Sequence, residues 1–160
     1  MALGDNTLRS AAGNSQRGRN PYMVETTLNW ATALSDKGSA LAAADVVPVI
    51  AVAKGTMILN AGIEVDTATD GSTFTVDLGT GVDPDVFVDG FDATSAAAVV
   101  AQNPAAYQPV MAVADDNIDV TIATLSGGAV TSGKFRVWAV LMDCTEMGDT
   151  AANEVARDNA

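Results

Sequence analysis

The residues of this chain with the most evident chemistry are four aspartates within ten positions, Asp83, Asp85, Asp89 and Asp92. Carboxylates at close spacing could hold calcium, which accepts about six to eight oxygen ligands in flexible geometry. The spacing differs from that of an EF-hand loop, and Pro84 restricts the backbone between the first two acids. We therefore interpret the four as a solvated acidic turn and assign no metal ligand, with a calcium site as the alternative.

Other combinations of reactive side chains are missing from the sequence. The chain contains no histidine, so neither a Ser-His-Asp nor a Cys-His arrangement can form. Paired aspartates hydrolyse glycosides in a cleft with aromatic platforms, but two Trp, two Tyr and four Phe offer few of these. No glycine-rich phosphate-binding fingerprint opens a helix. We predict that the protein is not an enzyme and that it has no cofactor.

The segment in front of the aspartates has the pattern of a half-buried β-strand. Apolar side chains occupy every second position, at Phe74, Val76 and Leu78, with polar residues between them. The sequence predicts that an acidic loop follows, then a short strand at residues 86–88 and a turn at Asp89-Gly90. The predicted order is therefore strand, acidic loop, short strand and turn.

Similar patterns along the chain predict about seven or eight strands, joined by glycine and aspartate turns and with no sustained helical period. Beyond the segment above, we expect an extended segment at residues 22–34 and strands at residues 46–53, 56–67, 107–114, 118–122 and 134–143. This spacing is typical of an antiparallel β-sandwich or jelly-roll-like domain.

Three local patterns in the sequence make this prediction more specific. Pro48 cannot donate to a ladder, so its strand is expected at a sheet edge or at a bulge. In the strand at residues 56–67, one face is expected to carry Met57, Leu59, Ala61, Ile63 and Val65. Residues 68–72 contain Asp-Gly and are expected to form a hairpin turn.

The strand at residues 134–143 is apolar on both faces apart from Arg136. Such a strand is expected in the middle of a sheet, with its second face covered by a neighbour. We assign Trp138, Val140 and Met142 on that second face to an oligomer interface, and we predict a homotrimer.

Charge is distributed unevenly along the chain. Residues 1–20 carry Arg9, Arg17 and Arg19 against Asp5, a net charge of +2, so the total of −12 leaves −14 for residues 21–160. An acidic body repels phosphate backbones, so we predict no nucleic-acid partner. The sequence also lacks an apolar run long enough to span a membrane, and its N-terminus has no basic region followed by an apolar core, so we expect no signal peptide and no membrane partner.

These patterns suggest three regions. We expect a flexible N-terminal arm at residues 1–25, a β-sandwich domain at residues 26–145 and a loose C-terminal tail at residues 146–160. The single cysteine, Cys144, excludes an intrachain disulfide and fits a reducing compartment. The three arginines of the arm could order on the acidic groups of a partner.

One run of residues carries a resemblance to known proteins. The most specific part is Asp-Leu-Gly-x-Gly-x-Asp-Pro-Asp-x-Phe-Val-Asp-Gly at residues 77–90, which is supported by Thr-Thr-Leu-Asn-Trp at residues 26–30 and Lys-Phe-Arg-Val-Trp-Ala at residues 134–139. Over about residues 26–143, the chain resembles small virion structural proteins of tailed bacteriophages and is most similar to head decoration, or cement, proteins.

The resemblance implies a β-sandwich, usually trimeric, that lies on the outer surface of a capsid and reinforces it. It further implies synthesis in the bacterial cytoplasm and the major capsid protein as partner. From the charge of the arm, we expect Arg9, Arg17 and Arg19 to contact that partner. The alternative is a tail- or fibre-associated module, or a virion module that binds a receptor or a carbohydrate.

Overall fold

The computed structural model describes residues 20–95 and 109–144. These residues form eight strands and one short helix. In chain order the elements are β1 (Tyr22–Asn29), α1 (Trp30–Lys37), β2 (Val46–Val52), β3 (Thr56–Thr67), β4 (Thr73–Thr80), β5 (Val88–Asp92), β6 (Val110–Met111), β7 (Asp116–Ser126) and β8 (Lys134–Asp143).

The strands form two antiparallel sheets of four, which we call sheet A (β1-β8-β3-β6) and sheet B (β2-β7-β4-β5). The first strand pairs with the last, the second with the second to last, and so on inward to β4 and β5. This order is that of a jelly roll, in which one long hairpin is rolled into two facing sheets. The predicted all-β class and sandwich architecture are confirmed.

The core lies between the sheets and consists of the inward-facing positions of the strands. Phe74, Val76 and Leu78 of β4 are fully buried, as the sequence predicted. At one end of the core, the ring of Trp30 meets Phe74 and Phe135 edge to face, with centroids 5.0 and 5.4 Å away. Aromatic pairs prefer this geometry, and the cluster joins the helix to both sheets.

The predicted positions of β2 and β8 in their sheets are confirmed. Strand β2 is the outer strand of sheet B, and its register with β7 shifts between Pro48 and Ile50, so it has both an edge position and an irregularity. Strand β8 lies between β1 and β3, with Phe135, Val137, Ala139 and Leu141 turned into the core.

The extended segment predicted at residues 22–34 is wrong beyond Asn29, where α1 begins. The Asn29 side chain accepts a hydrogen bond from the Ala31 amide at 3.0 Å, and Gly38, at φ 68°, closes the other end. Asparagine and glycine are favoured at these cap positions, so local capping selects the helix. Strand β1 itself starts at Tyr22, inside the range 1–25 that was assigned to the arm.

The predicted inward face of β3 is wrong in its first half. Ile58 is buried whereas Met57 and Leu59 are only half-buried, and from Ala61 onward the predicted residues do face the core. The register with β8 shifts between Ile58 and Asn60. A bulge inserts one extra residue and exchanges the two faces, which the alternation of residue types does not reveal.

Residues 68–72 connect β3 in sheet A to β4 in sheet B, so the predicted hairpin is wrong. The Asp70 carboxylate instead accepts hydrogen bonds from the amides of Thr131 and Ser132 at 2.8 and 3.0 Å. The Thr131 hydroxyl and these amides lower the pKa of Asp70 to about 2. The aspartate thus fixes a crossing between sheets against the loop before β8.

Two further boundaries differ from the predictions. Asp89 and Gly90 lie inside β5 instead of forming a turn, because Gly90, at φ 62°, accommodates an irregular pairing with β4. The strand predicted at residues 107–114 is reduced to Val110–Met111, and Tyr107 lies outside the described residues.

Candidate functional site

The four aspartates of the 83–92 segment do not converge on one point. Asp83 and Asp85 contact each other, which raises the pKa of Asp83, whereas Asp92 accepts hydrogen bonds from the amide and hydroxyl of Thr94. Those bonds lower the pKa of Asp92. Within residues 20–95 and 109–144, no three His, Cys, Asp or Glu side chains are grouped so that they could hold a metal ion.

Several of these carboxylates contribute instead to an acidic outer surface on sheet B. We call it the acidic face, and its members are Asp77, Asp83, Asp85, Asp89 and Asp119. Burial raises the pKa of Asp77, and the charges of Asp89 and Asp85 raise it further. Burial, followed by the charge of Asp116, raises the pKa of Asp119, which is only 9% exposed.

The loop after β4 crosses this acidic face. Gly79 pairs with Asp119, and a Cβ atom at Gly79 would lie 2.2 Å from the Asp83 carbonyl oxygen and from the Pro84 carbonyl carbon. Only glycine therefore permits the loop backbone to lie directly on the sheet. The Gly90 amide donates to Asp77 Oδ1 at 2.7 Å and fixes the neighbouring carboxylate.

The outer surface of sheet A has the opposite character. Several of its outward positions on β1, β3, β6 and β8 carry apolar side chains, which the strand register brings side by side. We call this surface the apolar face, and its members are Met23, Met57, Met111, Trp138, Val140 and Met142. Met23 is 60% exposed and Met111 40% exposed. The described residues leave this face open to another protein.

Trp138 lies at the centre of sheet A between Glu25 of β1 and Gly62 of β3. A Cβ atom at Gly62 would lie 2.5 Å from the Trp138 ring, so the glycine gives the indole room to lie flat on the sheet. In the next row, Arg136 Nε donates to Glu64 Oε2 at 2.9 Å, and the same guanidinium lies 3.9 Å from Glu25. An ion-pair cluster therefore borders the apolar face.

The site residues that were predicted from the sequence differ in how far the structure describes them. Trp138, Val140 and Met142 share one outward face, as expected, although no partner tests their assignment to an interface. Arg9, Arg17 and Arg19 lie outside the described residues. The methionines on β1, β3 and β6 were missed, because only the pairing of distant strands brings them beside β8.

A cleft of about 440 Å³ opens at the end of the sandwich opposite Trp30. Its wall is largely apolar, and Asp115 and Asp116 stand at its rim. We call it the end cleft. None of the helical segments in the described ranges is long and apolar enough to cross a bilayer.

Comparisons with known proteins detect the fold but no close relative. No protein-family model matches the chain, and no curated protein is similar to it at a significant level. A chain of the cyanophage Pam1 capsid asymmetric unit superposes with a TM-score of 0.59 and 16% identity, over 88% of this chain and 97% of that one. A chain of the Ralstonia phage GP4 capsid gives 0.52 and 17%, over 80% of this chain and 86% of that one. The protein therefore shares its fold with chains of two bacteriophage capsids.

Proposed function

We propose that this protein is a non-enzymatic virion structural protein that decorates and stabilises the outer surface of a bacteriophage capsid. The observation that carries the proposal is the likeness in fold to a chain of the Pam1 capsid, which extends over 97% of that chain. Fold alone does not define a role. The sequence resemblance to head decoration proteins supports the same role independently, because it rests on residues 77–90 and 134–139.

The two outer surfaces fit such a role. On the apolar face, Trp138, Val140 and Met142 would be covered by neighbouring copies in a homotrimer, since apolar surface gains about 25 cal/mol for each Å² removed from water. The acidic face carries carboxylates that would be costly to bury unpaired. It would therefore remain exposed or face basic groups of the capsid.

The arm supplies a second contact in this proposal. The arm carries Arg9, Arg17 and Arg19, and residues 1–20 have a net charge of +2. Because the whole chain has a net charge of −12, residues 21–160 have a net charge of −14. The arm would bind acidic groups of the major capsid protein through charge-assisted hydrogen bonds. Deletion of residues 1–20 should leave folding and trimerisation intact but reduce the number of copies bound per head.

The proposal is tested by counting copies in purified phage particles with quantitative mass spectrometry. A decoration protein should be present in amounts comparable to the major capsid protein. A tail- or fibre-associated module would instead be present in a few copies per particle, and that result would overturn the proposal. Binding of the purified protein to undecorated heads, and not to tails, would then locate it on the capsid.

A further inference from the structure

The end cleft is an apolar depression with no occupant in the described residues. It is bounded by the loop after β4 on one side and by the segment from β6 to β7 on the other. Val82 and Val113, both in its lining, are 86% and 77% exposed. Two valines this exposed at the mouth of an apolar cleft indicate a docking surface for an apolar side chain.

The rim of the cleft is negatively charged. Asp115 Oδ1 accepts a hydrogen bond from the Lys54 amide at 2.9 Å, and Asp116 Oδ1 accepts one from the Asn117 amide at 2.8 Å. Backbone groups thus hold both carboxylates in place. The ion pairs of residues 20–95 and 109–144 involve neither of them, so both charges are available to a basic partner.

The chain reaches this end of the sandwich at the start of β1. Tyr22 pairs with Leu141, Leu141 with Ile58, and Ile58 with Val110, so one row of sheet A runs from the arm's attachment point to the cleft. Three strand spacings cover about 14 Å. Leu8 precedes Tyr22 by enough residues to span about 45 Å when extended, so it can reach its own cleft or that of a neighbouring copy.

The charges of the two ends of the chain favour the N-terminal segment over the C-terminal one as the occupant of the end cleft. Residues 1–19 have a net charge of +2 and place Leu8 directly before Arg9. Residues 145–160 carry four acids, Glu146, Asp149, Glu154 and Asp158, against a single base, Arg157. An acidic rim attracts the first segment and repels the second.

We propose that the end cleft binds the N-terminal arm of this protein, with the Leu8 side chain in the apolar depression and Arg9 against Asp115 and Asp116. The arm would then be fastened to the body, its own or that of a neighbouring copy, before any capsid is present. In the free protein Arg9 would make this contact, and Arg17 and Arg19 would remain available to the major capsid protein. The interaction with the cleft can therefore be measured on the purified protein alone.

Crosslinking of the full-length chain tests the proposal. In a Cys144→Ala background, Ser10→Cys is combined with Ala114→Cys at the cleft and treated with a short bismaleimide. The control for position combines Ser10→Cys with Thr73→Cys, an exposed residue at the opposite end of β4, and the control for proximity is the cleft pair with Leu8→Ser. We expect crosslinking to be about tenfold faster for the cleft pair, the ratio that corresponds to burial of one leucine side chain.

Three additional variants determine whether the contact has the proposed chemistry. Leu8→Ser should remove the excess rate, and Asp115→Asn with Asp116→Asn should reduce it more strongly at low salt than at high salt. Ala152→Cys in the tail, paired with Ala114→Cys, should react no faster than the control. A product of single-chain mass would indicate the arm's own cleft, and one of double mass a neighbour's. Equal rates for cleft and control pairs, or no effect of Leu8→Ser, would overturn the proposal.

Discussion

The two outer surfaces of the sandwich are built on the same strand geometry but have opposite chemistry. The apolar face of sheet A presents Trp138 and the methionines of β1, β3, β6 and β8, whereas the acidic face of sheet B presents carboxylates. Each face has a central glycine. The indole of Trp138 covers Gly62 on sheet A, and the backbone of Asp83 and Pro84 covers Gly79 on sheet B.

This difference indicates that each face is completed in a different way. A loop of the same chain covers the part of the acidic face around Gly79, so that part is completed within one molecule. The apolar face receives no such cover from the described residues, so its stabilisation by burial is available to a second molecule. Substitutions on sheet B should therefore change folding stability, and substitutions on sheet A should change association.

The largest effect is expected from Gly79→Ala. The new methyl group would overlap the backbone of Asp83 and Pro84, which cannot rotate away as a side chain can, so the loop must leave the sheet. We expect a loss of about 3 kcal/mol of unfolding free energy, measured by urea denaturation. Gly81→Ala is the control, because its methyl group would meet only the Asp116 carboxylate, at 3.0 Å. Equal stability of the two variants would contradict this account of the acidic face.

The next largest effect concerns the apolar face. Val140→Glu places a charge in the proposed interface and should weaken self-association by about 2 kcal/mol or more. Sedimentation equilibrium at micromolar concentration should give about three times the 16.3 kDa chain mass for the wild type and a lower mass for the variant. Val46→Glu, at a position 54% exposed on β2, should remain trimeric. A monomeric wild type would refute the trimer.

A smaller effect of opposite sign is expected from Asp119→Asn. Burial raises the folded-state pKa of this carboxyl, so the protonated form is favoured in the fold. Stability is therefore lost as pH rises from the ordinary aspartate pKa of 3.8 through the raised pKa. The amide removes that loss, so at pH 7 the Tm of the variant should be a few degrees above that of the wild type. The gain should disappear in thermal scans near pH 3. A lower Tm at pH 7 would mean that the carboxylate has a stabilising partner.

Arg136→Ala tests the border of the apolar face and should have little effect on the monomer. The guanidinium pairs with Glu64 and Glu25, but half of its side-chain surface is exposed. Exposed pairs contribute about 0 to 1 kcal/mol and weaken with salt. A double-mutant cycle with Glu64→Gln, at about 0.1 M and 1 M salt, measures the pair directly. A coupling above this range would assign the cluster a larger role in folding.

The smallest effect, none, is expected from calcium. Because Asp92 is directed to Thr94 while Asp83 and Asp85 contact each other, the four aspartates offer no common site. Addition of calcium or EDTA should therefore leave the Tm unchanged. An increase with calcium that EDTA reverses would restore the calcium alternative, since a ligand that binds only the folded state stabilises it.

The sequence by itself determined the elements whose pattern is local. Alternation placed Phe74, Val76 and Leu78 in the core, two apolar faces put β8 in the middle of a sheet, and Pro48 marked an edge or a bulge. Each of these inferences depends on residues within one strand, where the side chain direction reverses at every position. The uneven distribution of charge along the chain and the lack of histidine are likewise read from the sequence alone.

The tertiary structure alone decided which strands became neighbours, and therefore what each outer face contains. The bulge after Ile58 moved Met57 to the outside, and strand register placed it beside Met111 and Met142. Asp77 and Asp119 lie on one acidic face only because β4 pairs with β7. Residues 68–72 cross between the sheets because β3 and β4, which flank them, belong to different sheets. These contacts join residues far apart in the chain, and the periodicity of a single strand contains no information about its neighbours.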